Sequence, residues 1–282
     1  MVLSLFSLIS CESNNQMAPI FKIMQNFSVA SNIVYKTVDS TELKLDVYYP
    51  VKKLGKEPWE ELPTTYQPTL IYFHGGGWVE GDKTSRLTSI LPYLAKNWCV
   101  VNVDYRLLQD TNLVEIVGDC MDAINWVNKN TTTYKFDLGR LYLSGESAGG
   151  HLALLAGMED KTQHIKGIIN WYGITDVEEA IKFWNDSTYT QMINSKWEGD
   201  LQEYYHSTSP VKLISRYTPP IISIHGDADI NVSIEHCNAF HQALTAKNIK
   251  NKLIQIDGKK HGNFSIAEFS SIFEEIWSFY DL

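Results

Sequence analysis

The hydrophobic pattern along this chain is a repeated alternation of short apolar runs and longer amphipathic stretches. Leu70–Phe73, Cys99–Val103, Leu141–Leu143, Ile165–Trp171, Ile221–Ile224 and Lys252–Ile256 are runs of strand length, most of them apolar throughout. Amphipathic segments predict helices over about 85–96, 114–128, 233–247 and 266–280, and a further helix follows Ser147. Continuous apolar strands joined by helices indicate a parallel sheet buried on both faces and closed by right-handed crossovers. Asn32–Thr37 and Leu43–Tyr49 instead alternate around Asp39-Ser40-Thr41, which predicts an antiparallel pair ahead of that sheet. Pro50–Pro68 is rich in Pro, Lys and Glu and reads as a surface connection. The expected fold is therefore a doubly wound, mostly parallel α/β sheet with antiparallel N-terminal strands, in one domain over about 30–282.

The rhythm breaks between about Asp176 and Pro219, where Phe183, Trp184, Tyr189, Trp197, Tyr204 and Tyr205 lie among polar residues. A loop this long in a compact domain is usually functional or disordered, and the aromatics argue against disorder. A small cap over the carboxyl edge of the sheet is expected, with plain core-covering helices as the alternative.

Composition narrows the function classes. Forty-four per cent hydrophobic residues in a 282-residue chain supply an ample core. The net charge of −9, with no dense Lys/Arg cluster, argues against nucleic acid as partner. Cys99, Cys120 and Cys237 fall in apolar or helical segments and read as buried free thiols, without metal-ligand spacing. Cys11 closes an apolar start, Leu8-Ile9-Ser10-Cys11, ahead of a polar stretch. Residues 1–16 thus read as a lipoprotein-type signal with a lipid anchor at Cys11, placing the protein in the periplasm or at the outer membrane. No Lys or Arg precedes the apolar run, however, so a disordered start on a cytoplasmic protein is the competing reading. No run is long enough for a transmembrane helix.

Chemistry concentrates after the strands. Gly145-Glu146-Ser147-Ala148-Gly149-Gly150 follows Leu141–Leu143 directly and opens a small-residue helix. This Gly-x-Ser-x-Gly arrangement holds a serine on a sharp strand-to-helix turn with its hydroxyl exposed. Such a serine needs a base, and the base needs an acid to fix its tautomer. Asp229 follows the strand at Ile221–Ile224 and His261 the strand at Lys252–Ile256, so both fall at the carboxyl edge of the sheet. Asp227 competes for the acid role and is otherwise expected to brace its turn. His74-Gly75-Gly76-Gly77-Trp78 follows Leu70–Phe73. With the N–H of Ala148, the backbone of Gly75 and Gly76 would form a three-donor oxyanion hole.

Together with Asp104-Tyr105-Arg106-Leu107, these motifs resemble the α/β-hydrolase superfamily. Within it they are similar to the hormone-sensitive-lipase-like esterases and the bacterial feruloyl/acetyl carbohydrate esterases. Glu146, where the former often carry Asp, and the His225-Gly226-Asp227-Ala228-Asp229 loop both lean toward the carbohydrate-esterase branch. The resemblance implies a serine carboxylic ester hydrolase without metal or cofactor, working through an acyl-enzyme of Ser147, His261 and Asp229. Its expected substrates are small-molecule or carbohydrate esters with short-chain acyl, acetyl or feruloyl groups. Trp78, Glu146 and Trp184 are expected to touch substrate. An arylformamidase-like or peptidase-like C–N hydrolase and a catalytically silent binding protein stand as alternatives.

Overall fold

A computed structural model describes residues 27–50, 63–85 and 87–282. The apolar start and Cys11 lie outside the described residues. Eight strands form one sheet: β1 (Phe27–Val38), β2 (Thr41–Pro50), β3 (Gln67–Phe73), β4 (Cys99–Val103), β5 (Phe136–Glu146), β6 (Ile165–Trp171), β7 (Ile221–Gly226) and β8 (Asn251–Ile256). Their order is β1-β2-β4-β3-β5-β6-β7-β8. β1 pairs antiparallel with β2 and β2 with β4, and every later pairing is parallel.

Strand periodicity divides the core in two. Ile71, Phe73, Leu141, Leu143 and Ile168 point to one face, where they meet α2 (Leu113–Lys129), α4 (Ala148–Glu159) and α9 (Ile234–Ala246). Leu70, Tyr72, Tyr142, Ile169 and Ile222 point to the other, against α1 (Leu91–Ala95) and α10 (Ile266–Tyr280). Successive side chains on a strand alternate between faces, so one apolar run feeds both layers. A short α3 (Thr131–Tyr134) precedes β5. No described helix is long and apolar enough to cross a membrane.

The region between β6 and β7 is helical: α5 (Val177–Trp184), α6 (Ser187–Asn194), α7 (Leu201–Ser207) and α8 (Pro210–Leu213). Asp176, Asp186 and Asp200 each cap one of the first three by accepting backbone N–H bonds. These caps satisfy donors that a helix start leaves open, which lets short helices persist in a polar stretch.

The helix expected over 85–96 is shorter, a 3₁₀ turn at Leu87–Ile90 followed by α1. Pro92 stands at the start of α1, where its missing N–H costs nothing, and its ring clashes with an α-helix continued from the preceding turn.

β3 and β5 lie side by side, and α4 rises from β5 against the end of β3. A Cβ on Gly149 would sit 2.1 Å from the Phe73 carbonyl oxygen and 2.4 Å from that of His74. A Cβ on Gly145 would meet the carbonyls of Gly149 at 2.3 Å and Phe73 at 2.6 Å. These two glycines are what permits backbone-to-backbone contact between the turn and the β3 loop.

A buried ion network ties the loop after β4 to α2. Asp119, with no exposed side-chain surface, takes both Arg106 nitrogens, Nε and Nη2, at 2.8 Å and Lys36 Nζ at 2.7 Å. Removing it takes the buried carboxylate from both cations and leaves Lys36 only the partly exposed Asp122, at 2.7 Å, and Arg106 only the exposed Glu115, at 3.3 Å, as acidic partners among the described residues. Asp119→Ala is therefore expected to destabilise the fold by about 3 kcal/mol, which thermal denaturation reads as a melting point lower by about 5 °C in a chain of this size. Gly149→Ala is expected to cost at least as much, because its neighbours are main-chain atoms that cannot rotate away.

Candidate active site

Ser147 sits between β5 and α4 with φ 53° and ψ −119°, a conformation that L-residues rarely adopt. Its N–H donates to the Trp171 carbonyl at 2.9 Å, which pins the turn to the end of β6. Strain at such a position is of order 1–3 kcal/mol and persists only where the surroundings dictate it. Here the glycine contacts on either side do so. Ala148 is the first residue of α4, so its N–H has no partner within the helix.

His261 lies in the loop after β8, its Nδ1 2.7 Å from Asp229 Oδ2. Asp229 is itself positioned by the loop after β7. Its Oδ1 accepts the N–H groups of Asn231 at 2.8 Å and Val232 at 3.0 Å. Oδ2 also lies 3.4 Å from His225 Nε2. Burial alone would raise the Asp229 pKa, but the bonds from His225, His261 and Val232 outweigh it and hold the carboxyl below the usual range. Asp227 accepts the Gly258 N–H at 2.6 Å, so it braces the turn after β8 where its own turn was expected.

The β3 loop supplies the opposite wall. His74 is buried and stacked on Tyr105, with ring centroids 4.2 Å apart, and the Tyr105 hydroxyl donates to the His74 carbonyl at 2.6 Å. Burial holds the His74 pKa below its ordinary value. Beyond it the backbone enters positive φ at Gly76 (121°), Gly77 (60°) and Trp78 (62°). A Cβ on Gly76 would lie 2.0 Å from the Glu80 carbonyl. Behind this wall, Asp104 accepts the Lys83 N–H at 2.6 Å and Arg106 grips Asp119, which explains the Asp104-Tyr105-Arg106 motif as anchoring.

Gly75, Gly76, Glu146, Ser147 and His261 all line one cavity of about 830 Å³. A helical wall comes from Trp184 and Tyr189. The Trp184 indole N–H donates to the Asn231 carbonyl at 2.5 Å, and the Tyr189 hydroxyl donates to the Gly77 carbonyl. The structure places two expected substrate contacts, Glu146 and Trp184, on the cavity and moves the third. Trp78 is fully buried and does not line it, because its positive φ turns the ring under the loop, onto His151 and Tyr189.

Sequence reasoning missed Tyr172. It follows β6 at the same sheet edge as Asp229 and His261, and that post-strand position was the available signal. Tyr189, within the aromatic insertion, carried no signal that separated it from its neighbours. A serine side chain, an imidazole fixed by a carboxylate and a glycine loop thus border one cavity.

Residues 45–244 match the BD-FAE family. An isoprenylcysteine alpha-carbonyl methylesterase of Arabidopsis thaliana is 28% identical over 261 residues, covering 85% of this chain and 58% of that protein. This chain thus spans little more than half the length of the curated relatives it matches. Among solved structures, a truncated carbohydrate esterase from gut microbiota superposes with a TM-score of 0.75 at 20% identity, covering 92% of this chain and 98% of that one. Thermogutta terrifontis esterase 2 phosphonylated by sarin gives 0.73 at 23% identity, over 88% and 94%. These two likenesses establish the α/β-hydrolase fold. With the match extending from β2 into α9 and taking in the serine turn, the β3 loop and Asp229, the chain belongs to the BD-FAE family.

Proposed function

We propose that this chain is a serine carboxylic ester hydrolase in which Ser147, His261 and Asp229 act as a triad. The observation that carries the reading is the 2.7 Å contact from His261 Nδ1 to Asp229 Oδ2, beside a cavity that also exposes the strained Ser147. Asp229 accepts a hydrogen bond from the Nδ1–H, which keeps the proton on Nδ1 and leaves Nε2 as the basic nitrogen. His261 takes the Ser147 proton as Oγ attacks the ester carbonyl. The oxyanion is received by the N–H groups of Gly75, Gly76 and Ala148. His261 then protonates the leaving alcohol, and water attacks the acyl-enzyme with the same base.

The names of the family's relatives and structural neighbours, a methylesterase and a carbohydrate esterase among them, support ester hydrolysis. The cavity offers aromatic side chains at Trp184 and Tyr189 and an acceptor at Asp186. That mixture suits an acetyl, short acyl or feruloyl ester of a hydroxyl-bearing alcohol such as a sugar. We extend the proposal to treat 176–219 as the cap that shapes this substrate choice, and residues 30–282 as one hydrolase domain.

Ser147→Ala is expected to abolish p-nitrophenyl acetate hydrolysis and labelling by a fluorophosphonate probe. Turnover at the wild-type rate in that variant would remove the assignment. Asp229→Asn is expected to lower kcat by about 10⁴-fold through the wrong imidazole tautomer. It also tests linkage. The depressed Asp229 pKa contributes stability that is complete above the unfolded carboxylate range near about 4 and is lost as pH falls through the lower folded value. Acid denaturation curves should accordingly be shallower in Asp229→Asn than in wild type.

A further inference from the structure

Two loops must hold their distance for the proposed chemistry. Ser147 is fixed by its turn, but His261 lies in the connection between β8 and α10, in a turn with Gly262. The hydrogen bond to Asp229 fixes the tautomer and one distance. It leaves the imidazole free to swing about that bond.

Tyr172 supplies a second contact. Its ring packs edge-on against the His261 ring, with centroids 4.6 Å apart and planes at 64°. Tyr172 is buried and sits at φ 42°, an unfavourable value for an aromatic residue. Two bonds hold it there. Its N–H donates to the Ile224 carbonyl at 2.7 Å, and its hydroxyl donates to Glu146 Oε2 at 2.5 Å. Gly262, next to the base, is keyed onto the same side chain. It has φ 67°, and a Cβ there would lie 2.6 Å from the Tyr172 hydroxyl. Glu146 is buried, lines the cavity and precedes Ser147 in the chain.

We propose that Glu146 and Tyr172 form a clamp that positions His261 relative to Ser147, with Tyr172 the positioning residue and Glu146 its anchor on the nucleophile turn. The path runs from Ser147 through one peptide bond to Glu146, through a hydrogen bond to Tyr172, and through ring contact to His261. This accounts for the longer carboxylate at position 146: the bond is made by a side chain one methylene longer than Asp. The inference rests on the triad reading above, since a clamp on His261 matters only if His261 is the base.

The test is steady-state kinetics on p-nitrophenyl acetate with Tyr172→Phe, Glu146→Asp, Glu146→Gln and the Tyr172→Phe/Glu146→Asp double variant. Each preparation is matched by thermal melt for its folded fraction. Tyr172→Phe and Glu146→Asp are each expected to lower kcat by about 10–100-fold, the scale of a misplacement of roughly 1 Å, with KM changed by less than about threefold. Glu146→Gln retains a carbonyl acceptor and should recover most of the loss. The double variant should be no slower than the worse single variant, because both break one link. Four outcomes overturn the clamp: kcat within twofold of wild type in both single variants, multiplicative losses in the double variant, no recovery with Gln, or an effect confined to KM. An active Ser147→Ala would instead remove the triad reading itself, so the two failures are distinguishable.

Discussion

The contact on which the rest depends is the approach of bare backbone at Gly145 and Gly149 to the carbonyls of Phe73 and His74. It joins the two central strands at the edge where they deliver their loops. Without it α4 could not start beside the end of β3, and the serine turn and the glycine loop would not share a wall. The positive φ of Ser147 follows from the same packing, because β5, α4 and the Trp171 carbonyl together leave the turn no alternative course. Side-chain deletion, not side-chain addition, makes the site possible.

Around that contact the protein spends its buried polar groups on holding loops. Tyr105 holds His74, Asp104 holds the Lys83 N–H and Asp119 holds Arg106, three supports behind the glycine loop. Such networks rigidify when every member is satisfied, and they fail together when one is removed. Asp229 is treated similarly, with two backbone N–H groups and two imidazoles around one carboxyl. Its charge is thereby fixed from several sides at once, and the imidazole on the cavity side is held in turn by that carboxyl.

Much of this was legible in the chain. Parallel strands announce themselves as apolar runs, and loops following them necessarily gather at one edge, so Ser147, Asp229, His261 and the glycine loop could be placed by order alone. Asp227 could be read as a turn brace for the same reason. Trp78 could not, since a tryptophan beside a glycine loop looks like a substrate contact until the positive φ that buries it is known. Tyr172 and Tyr189 were hidden differently. Their roles depend on a hydroxyl meeting a partner 26 or 112 residues away, Glu146 and Gly77, and no local period records such a pairing. The helices of the insertion were obscured because their starts rest on aspartate caps rather than on a long apolar stripe.

The Tyr189 bond to the Gly77 carbonyl has a consequence for how this architecture can change. An insertion between strands is often regarded as an exchangeable module, varied freely while a fixed core performs the reaction. Here the insertion grips the backbone of the glycine loop itself, and Gly77 has no room for a Cβ beneath that hydroxyl. Drift in the insertion is therefore transmitted to the loop facing the serine. Insertion and glycine loop are mechanically linked in this chain, and a change that removes the donor over Gly77 frees a backbone carbonyl in the loop beside Ser147.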